Sequence, residues 1–364
     1  MGLPMLIRIR SLTALLGVAL LSAPALFAQN STPRASTSNI SMPNNPKALL
    51  DLAREVSGLT SAEMKPWHAK YSYQTFDRDG KPANQGTVEE WWAAPNKYKR
   101  EWVSDHFNQT EYQNERGHFR SGDPTLPPAA ELTLLSRITE PIPPPDKLAG
   151  YTIQHRDNPY SHEHFVCIET AGHLDHILAG PPFGLFPVYC FEQNKPILRT
   201  VGSFGTHTTL YQQVGSLAGH SVPIQLQIVD GEKSYASAHL EEGNLIGTVN
   251  EAAFQPPPDA VETGPNNVLS EKVDGLIKGH RIAGDPPIYP VESKQQHWEG
   301  EVDISAIIAE DGTIQQLMVI SAPDYRLAAA AMLAVHTWRF QPFLLRGKPV
   351  SVQTQINVTY RLGG

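Results

Sequence analysis

The chain has 364 residues, 40% of them hydrophobic and 18% charged, which is enough for two domains of ordinary size. Its 29 Lys and Arg against 37 Asp and Glu leave a net charge of −8, and no basic stripe is present to neutralise phosphates, which argues against a nucleic-acid partner. Arg8 and Arg10 precede an uncharged apolar run from Ser11 to Ala28 that is broken by Pro24. This is the pattern of a bacterial export signal cut after Ala28; the alternative is an uncleaved anchor, since about eighteen apolar residues just span a bilayer. On either reading the rest of the chain is expected in the periplasm. Residues 29–46, rich in Ser, Thr, Asn and Pro, read as a disordered tether.

Residues 47–255 read as a β-rich domain. Leu49, Leu50, Leu52, Ala53 and Val56 suggest a helix ending at Gly58. Short alternating runs follow over 71–76, 88–92, 98–103 and 110–119. A second helix is expected over Glu131 to Ile138, and further runs over 188–191, 197–204, 208–214, 224–229 and 235–240. Many short strands separated by Gly and Asp-Gly turns favour an antiparallel sheet that curves or partly closes. The run Trp91-Trp92-Ala93-Ala94-Pro95-Asn96-Lys97-Tyr98-Lys99-Arg100-Glu101 resembles the second-strand motif of LolA-like lipoprotein carriers. That resemblance implies a half-open barrel with a helical lid and an apolar hollow. Ordinary core packing of the tryptophans is the alternative.

Cys167 and Cys190 are the two cysteines. An even pair in an exported domain reads as a disulfide, with two buried free thiols as the alternative. His155, His162, His164, His173 and His176 crowd the same region, but no spacing such as His-Glu-x-x-His makes them a metal site, and no metal or cofactor is expected. The chain has no Gly-x-Ser-x-Gly elbow, no phosphate-cradling loop with Lys and no dinucleotide fingerprint, so an enzyme is not expected.

Gln255-Pro256-Pro257-Pro258-Asp259 opens a Pro-rich linker over 256–278, within which Val268 to Ile277 reads as a small strand or a turn of helix. The last stretch, 279–364, is the most legible. Glu301, Asp303 and Ser305 alternate with Val302, Ile304, Ala306 and Ile308. Asp311-Gly312 supplies a tight turn, and Ile314 to Ser321 returns as a second strand with Leu317 and Val319 inward. Pro323-Asp324 starts a helix whose face is Leu327, Ala330, Ala331, Ala334, Val335 and Trp338, with Pro342 as its stop. From Val350 to Leu362 every second residue is apolar or aromatic apart from Thr354, and Ser351, Gln353, Gln355, Asn357, Thr359 and Arg361 fill the gaps, so one face is buried and one is wet. The fold class is α+β: a three-stranded antiparallel sheet with one packed helix, preceded by the larger β-rich domain.

These C-terminal motifs, from Pro287-Ile288-Tyr289-Pro290 and Gly300-Glu301-Val302 through Trp338-Arg339-Phe340-Gln341-Pro342 to Gly347-Lys348-Pro349-Val350, closely resemble the TonB C-terminal domain in order and spacing. The resemblance implies a cell-envelope protein. Its edge strand would pair with the extended TonB box of an outer-membrane transporter, with energy supplied by the inner-membrane ExbB–ExbD complex. Carried over, the docking residues would be Ser351, Gln353, Gln355, Asn357, Thr359 and Arg361, with Pro287, Tyr289 and Pro290 beside the peptide. The chain departs from the family where Pro286 and Pro287 replace a Gln, and where a folded region replaces the long rod. The apolar leader also lacks an internal acid or His. The other functional expectation is a periplasmic carrier of an apolar ligand that uses this C-terminal unit only to dock.

Overall fold

The computed structural model describes residues 41–77, 79–123, 127–157, 165–176, 183–203, 207–263 and 269–363. Helix α1 (Pro46–Ser57) starts on the Asn45 side chain, which accepts the Ala48 N–H at 2.9 Å, and Gly58 follows its last turn. Strands β1 (Trp67–Phe76), β2 (Pro82–Ala94), β3 (Lys97–Ser104), β4 (Asn108–Asn114) and β5 (Gly117–Gly122) then form a meander. The run expected as one strand over 110–119 is a hairpin instead. The Asn114 side chain accepts the Arg116 N–H at 2.9 Å, and Gly117, at φ 135°, supplies a backbone conformation that other residues resist.

Helix α2 (Ala129–Thr139) separates the meander from β6 (Thr152–Arg156), β7 (Phe165–Ala171), β8 (His173–Leu174), β9 (Val188–Glu192), β10 (Leu198–Gly202), β11 (Thr208–Leu217), β12 (His220–Asp230) and β13 (Lys233–Leu245). All of these except β8, together with β14 (Val261–Glu262), make one antiparallel sheet in the order β14-β5-β4-β3-β2-β1-β13-β12-β11-β10-β9-β7-β6. It is a half-barrel with two open edges. Strand β1 shows how it is filled: Trp67, Ala69, Tyr71 and Tyr73 turn inward and alternate with half-exposed residues. They meet Leu49, Leu50 and Ala53 of α1 and Leu134 and Ile138 of α2 in one core. Trp92 stacks on Trp67 with ring centroids 6.1 Å apart, while its neighbour Trp91 lies on the other face between His68 and Lys99.

The Cys167–Cys190 disulfide joins β7 to β9 at directly opposed positions. In the chain-entropy model a loop of this size contributes about 3 kcal/mol. On the same sheet Glu90, Arg100, Glu111 and Arg120 stand opposite one another on β2 to β5. Arg100 binds Glu90 at 2.9 Å and Glu111 at 2.8 Å, and all four residues are buried.

The stretch expected as a linker pairs with structure on both sides of it. β14 joins β5, β15 (Leu269–Ser270) and β16 (Leu276–Ile277) each join a strand of the C-terminal part, and just beyond the expected linker β17 (Arg281–Ala283) joins another. After α3 (Val291–Gln295), the C-terminal strands β18 (Gly300–Ile308) and β19 (Ile314–Ala322) form a hairpin. Its turn is a type I turn with a bulge: the Gly312 N–H reaches the Ala309 carbonyl at 2.9 Å, and Gly312 has φ 81°. A Cβ there would sit 1.8 Å from the Phe340 carbonyl oxygen, so the position needs glycine.

Helix α4 (Tyr325–His336) is capped by Asp324, whose carboxylate accepts the Leu327 N–H at 3.1 Å and the Ser293 hydroxyl at 2.9 Å. Its buried face is Leu327, Ala328, Ala331, Met332, Ala334 and Val335, which brings Ala328 and Met332 inside and leaves Ala330 and Trp338 partly exposed. The helix stops at His336, well before Pro342, because the Thr337 hydroxyl and N–H take the carbonyl of Ala334 and Trp338 turns away to bond Asp285.

Short strands β20 (Arg339–Phe340), β21 (Phe343–Leu345) and β22 (Lys348–Val350) lead to β23 (Val352–Tyr360). Arg346 and Gly347, both at positive φ, make the two-residue turn between β21 and β22. The sheet order is β15-β23-β18-β19-β8, so the three long strands are antiparallel with β18 in the middle. β8 comes from the half-barrel and pairs parallel to β19, and Leu174, Leu185 and Phe186 join the C-terminal core under α4. The described residues fall within one compact unit. Among them no helix is long and apolar enough to cross a membrane. Residues 1–28, expected as signal or anchor, lie outside the described residues, as do His162 and His164.

Candidate docking edge

Strand β23 shows the alternation read from the sequence. Val352, Ile356, Val358 and Tyr360 are buried, whereas Gln355, Asn357 and Thr359 are exposed. The single run from Val350 to Leu362 is nevertheless broken at Ser351, which separates β22 from β23.

One long side of β23 is taken by β18, residue for residue from Val352–Ile308 to Tyr360–Gly300. The other side is the sheet edge. Among the described residues only β15 pairs there, parallel, with Leu269 opposite Val352 and Ser270 opposite Gln353. The Leu269 N–H donates to the Ser351 carbonyl at 2.9 Å, which fixes the direction of the backbone groups. Strand residues point their N–H and C=O groups alternately to the two sides, so Gln355, Asn357 and Thr359 turn theirs to the open edge. Of the odd-numbered residues expected to dock through their side chains, Gln355, Asn357 and Thr359 thus also carry backbone without a strand partner among the described residues.

The side chains beside this edge are partly engaged. Gln353 donates to the Ser305 hydroxyl at 3.1 Å and accepts from Lys147 of the half-barrel. Asn357 donates to Asp303 at 2.6 Å and to Glu301. Thr354 donates to Glu271 at 2.7 Å. Gln355, Thr359 and Arg361 are exposed to solvent. Among the three upstream residues, Tyr289 is the one placed against β23: its ring meets Tyr360 edge-on at 5.2 Å, and its hydroxyl donates to the Trp298 carbonyl at 2.6 Å. Pro290 precedes α3 as its N-cap, and Pro287 is half-buried. The sequence pattern places a small strand or a turn of helix over Val268 to Ile277 but does not point to Leu269 or Glu271 as edge residues, because Val268 and Leu269 are too few apolar residues to show a period.

The described histidines of this group have separate partners. His155 bonds the Asn44 carbonyl at 2.9 Å, His173 pairs with Asp175 at 3.2 Å, and His176 stacks on Trp298. No group of three or more His, Cys, Asp or Glu among the described residues is arranged to hold a metal ion. The gap lined by Ser57, Ile138, Leu198, Tyr211 and Val222 measures 10 Å³, space for no more than one water. A larger cleft of 490 Å³ on the outer face is lined by Gln74, Gln85, Gln212, Gln225, Gln227 and His239 together with Tyr73 and Leu226.

Residues 285–362 match the family model of the Gram-negative bacterial TonB protein C-terminal. No curated protein matches the chain significantly. Among solved structures, a LolA superfamily protein from Nitrosomonas europaea is 11% identical with a TM-score of 0.38, covering 60% of this chain and 99% of its own. A DUF1329 family protein from Desulfovibrio piger is 10% identical with a TM-score of 0.36, covering 58% of this chain and 97% of its own.

Proposed function

We propose that the chain is a cell-envelope protein whose C-terminal sheet docks an outer-membrane transporter by accepting an extended segment, the TonB box, along β23. The observation that carries this reading is the open edge itself. Gln355, Asn357 and Thr359 present backbone N–H and C=O groups without a strand partner among the described residues, in the part of the chain that matches the TonB C-terminal family. A strand added there gains main-chain hydrogen bonds on one side, and the uncharged side chains of Gln355 and Thr359 allow it to approach without repulsion. Among the described residues the tryptophans and both helices pack into one core inside the half-barrel, which favours docking over carriage of an apolar ligand. Participation in energised transport, with an inner-membrane ExbB–ExbD-type complex as the source of force, is part of the same proposal and rests on the family resemblance alone.

The test removes the outward N–H groups without touching the β18 ladder. Proline is tolerated on an edge strand where the lost N–H faces solvent, so Gln355→Pro and Thr359→Pro leave the fold intact. Each is expected to weaken binding of a synthetic TonB-box peptide by at least tenfold in calorimetry with the full chain, with circular dichroism unchanged. Wild-type binding that survives both substitutions would place the contact elsewhere.

A further inference from the structure

The docking edge is not empty along its whole length. The Ser351 carbonyl, the first outward acceptor of the edge, holds the Leu269 N–H at 2.9 Å, and the next outward position, Gln353, faces Ser270. The contact continues in side chains, since Glu271 accepts from the Thr354 hydroxyl at 2.7 Å. Below the strand, Leu269 packs on the apolar cluster of Ile308, Phe343, Val350 and Val352. After Ser270 the chain leaves the edge in a turn, with the Val273 N–H bonded to the Ser270 carbonyl at 3.2 Å. The segment therefore meets the edge through one short strand, one aliphatic anchor and one carboxylate.

We propose that Leu269-Ser270-Glu271 is a resident strand that keeps the first part of the docking edge occupied, and that a partner must displace it to pair along the whole of β23. This rests on the docking reading above and adds its regulation and its side-chain demand. The unoccupied stretch offers three outward backbone positions, Gln355, Asn357 and Thr359, about 13 Å at ~3.3 Å per residue. A partner limited to that stretch forms only a few main-chain bonds. A longer one has to take Ser351 and Gln353 from the resident segment, and the site it then enters selects an aliphatic side chain over Ile308, Phe343, Val350 and Val352, followed two residues later by an acceptor for Thr354.

A short strand is a suitable gate. A two-residue pairing held by one partly buried leucine is a low-stability contact that opens locally without unfolding the sheet. The apparent affinity of a competing peptide is reduced by the fraction of molecules in which the edge is open. Weakening the resident strand must therefore tighten binding, a sign opposite to that of removing an ordinary docking contact.

The experiment uses the full chain and two peptides, a synthetic TonB-box peptide and the chain's own segment 269–275. Leu269→Ala, combined with Glu271→Ala, is expected to tighten the TonB-box peptide by roughly tenfold and to give the self-peptide measurable binding, which wild type lacks. In the opposite direction, a Ser270→Cys, Gln353→Cys pair joins residues that already face one another. The oxidised form is expected to lose peptide binding by at least tenfold relative to the same variant with both thiols alkylated. Equal affinities for wild type, the alanine variant and the cross-linked form would overturn the resident strand while leaving docking at β23 standing. Absence of binding to wild type and to the alanine variant alike would overturn both.

Discussion

His118 shows how a single side chain ties the half-barrel to the segment that follows it. It lies on β5, buried, with one ring nitrogen bonded to the Thr263 hydroxyl and the other without a hydrogen-bond partner. Burial is the main cause that pushes its pKa down from 6.5 to about 4, and the nearby Arg120 and Arg100 add to it against the opposing pull of Glu111. His207 is lowered to about 4 as well, again chiefly by burial. Both rings are neutral in the folded chain, whereas the unfolded chain binds their protons below pH 6.5. Stability is therefore expected to fall as pH drops from about 6.5 toward 4, by up to about 3 kcal/mol per ring. Urea unfolding at pH 7 and pH 4.5 measures this. His118→Gln should remove part of the pH dependence, and an unchanged slope would show that the ring titrates freely in the fold. None of this was legible in the sequence, where His118 is one polar residue in an alternating run and its surroundings depend on strand pairings not yet known.

At the scale of elements, the parts read correctly are those whose signal is local. Gly58 marks the end of α1, and Asp324 the start of α4. The alternation of β23 follows from a period of two that needs no partner to be seen. The Asp324 cap is expected to be worth more than an exposed one, because its carboxylate is fully buried and also holds Ser293 and pairs with Arg326 at 3.1 Å. Asp324→Ala should destabilise the chain by about 2–3 kcal/mol, the loss of a cap plus an unpaired Ser293 hydroxyl, as measured by urea midpoint. What the local signal missed is equally physical. The buried face of α4 is rotated toward Ala328 and Met332 because Leu174, Leu185 and Phe186 arrive from far upstream to share its core. The strands β14 to β17 have two or three residues each, too few for a period to show. Val350 to Leu362 looked continuous, and the break at Ser351 becomes visible only once the β21–β22 hairpin and the Leu269 hydrogen bond are placed.

For the molecule as a whole, the half-barrel and the C-terminal sheet are joined by more than a tether. β8 extends the C-terminal sheet, β14 extends the half-barrel, and Arg120 reaches Glu310 in the β18–β19 turn at 3.2 Å. Glu310 is thereby the outer end of the row that begins at Glu90, a line of alternating charge that crosses from one half to the other. Its carboxyl is raised by burial and pulled back by Arg120, so the contact depends on keeping that pair together. Such a seam fixes the position of the half-barrel against the sheet that carries β23, whereas a free linker would not. The alternating row was invisible in the sequence because its members are nine or more residues apart and meet only through strand register.

The most direct test of docking at β23 is residue-resolved amide hydrogen exchange on the full chain, alone and with a TonB-box peptide. A strand added to the open edge should slow the amides of Gln355, Asn357 and Thr359. It should leave Ile356 and Val358 unchanged, since their N–H groups already point to β18. Protection in this every-second-residue pattern is the predicted result. Slowing on α4, in the half-barrel or uniformly along β23, with the three outward amides no different from their neighbours, would contradict it.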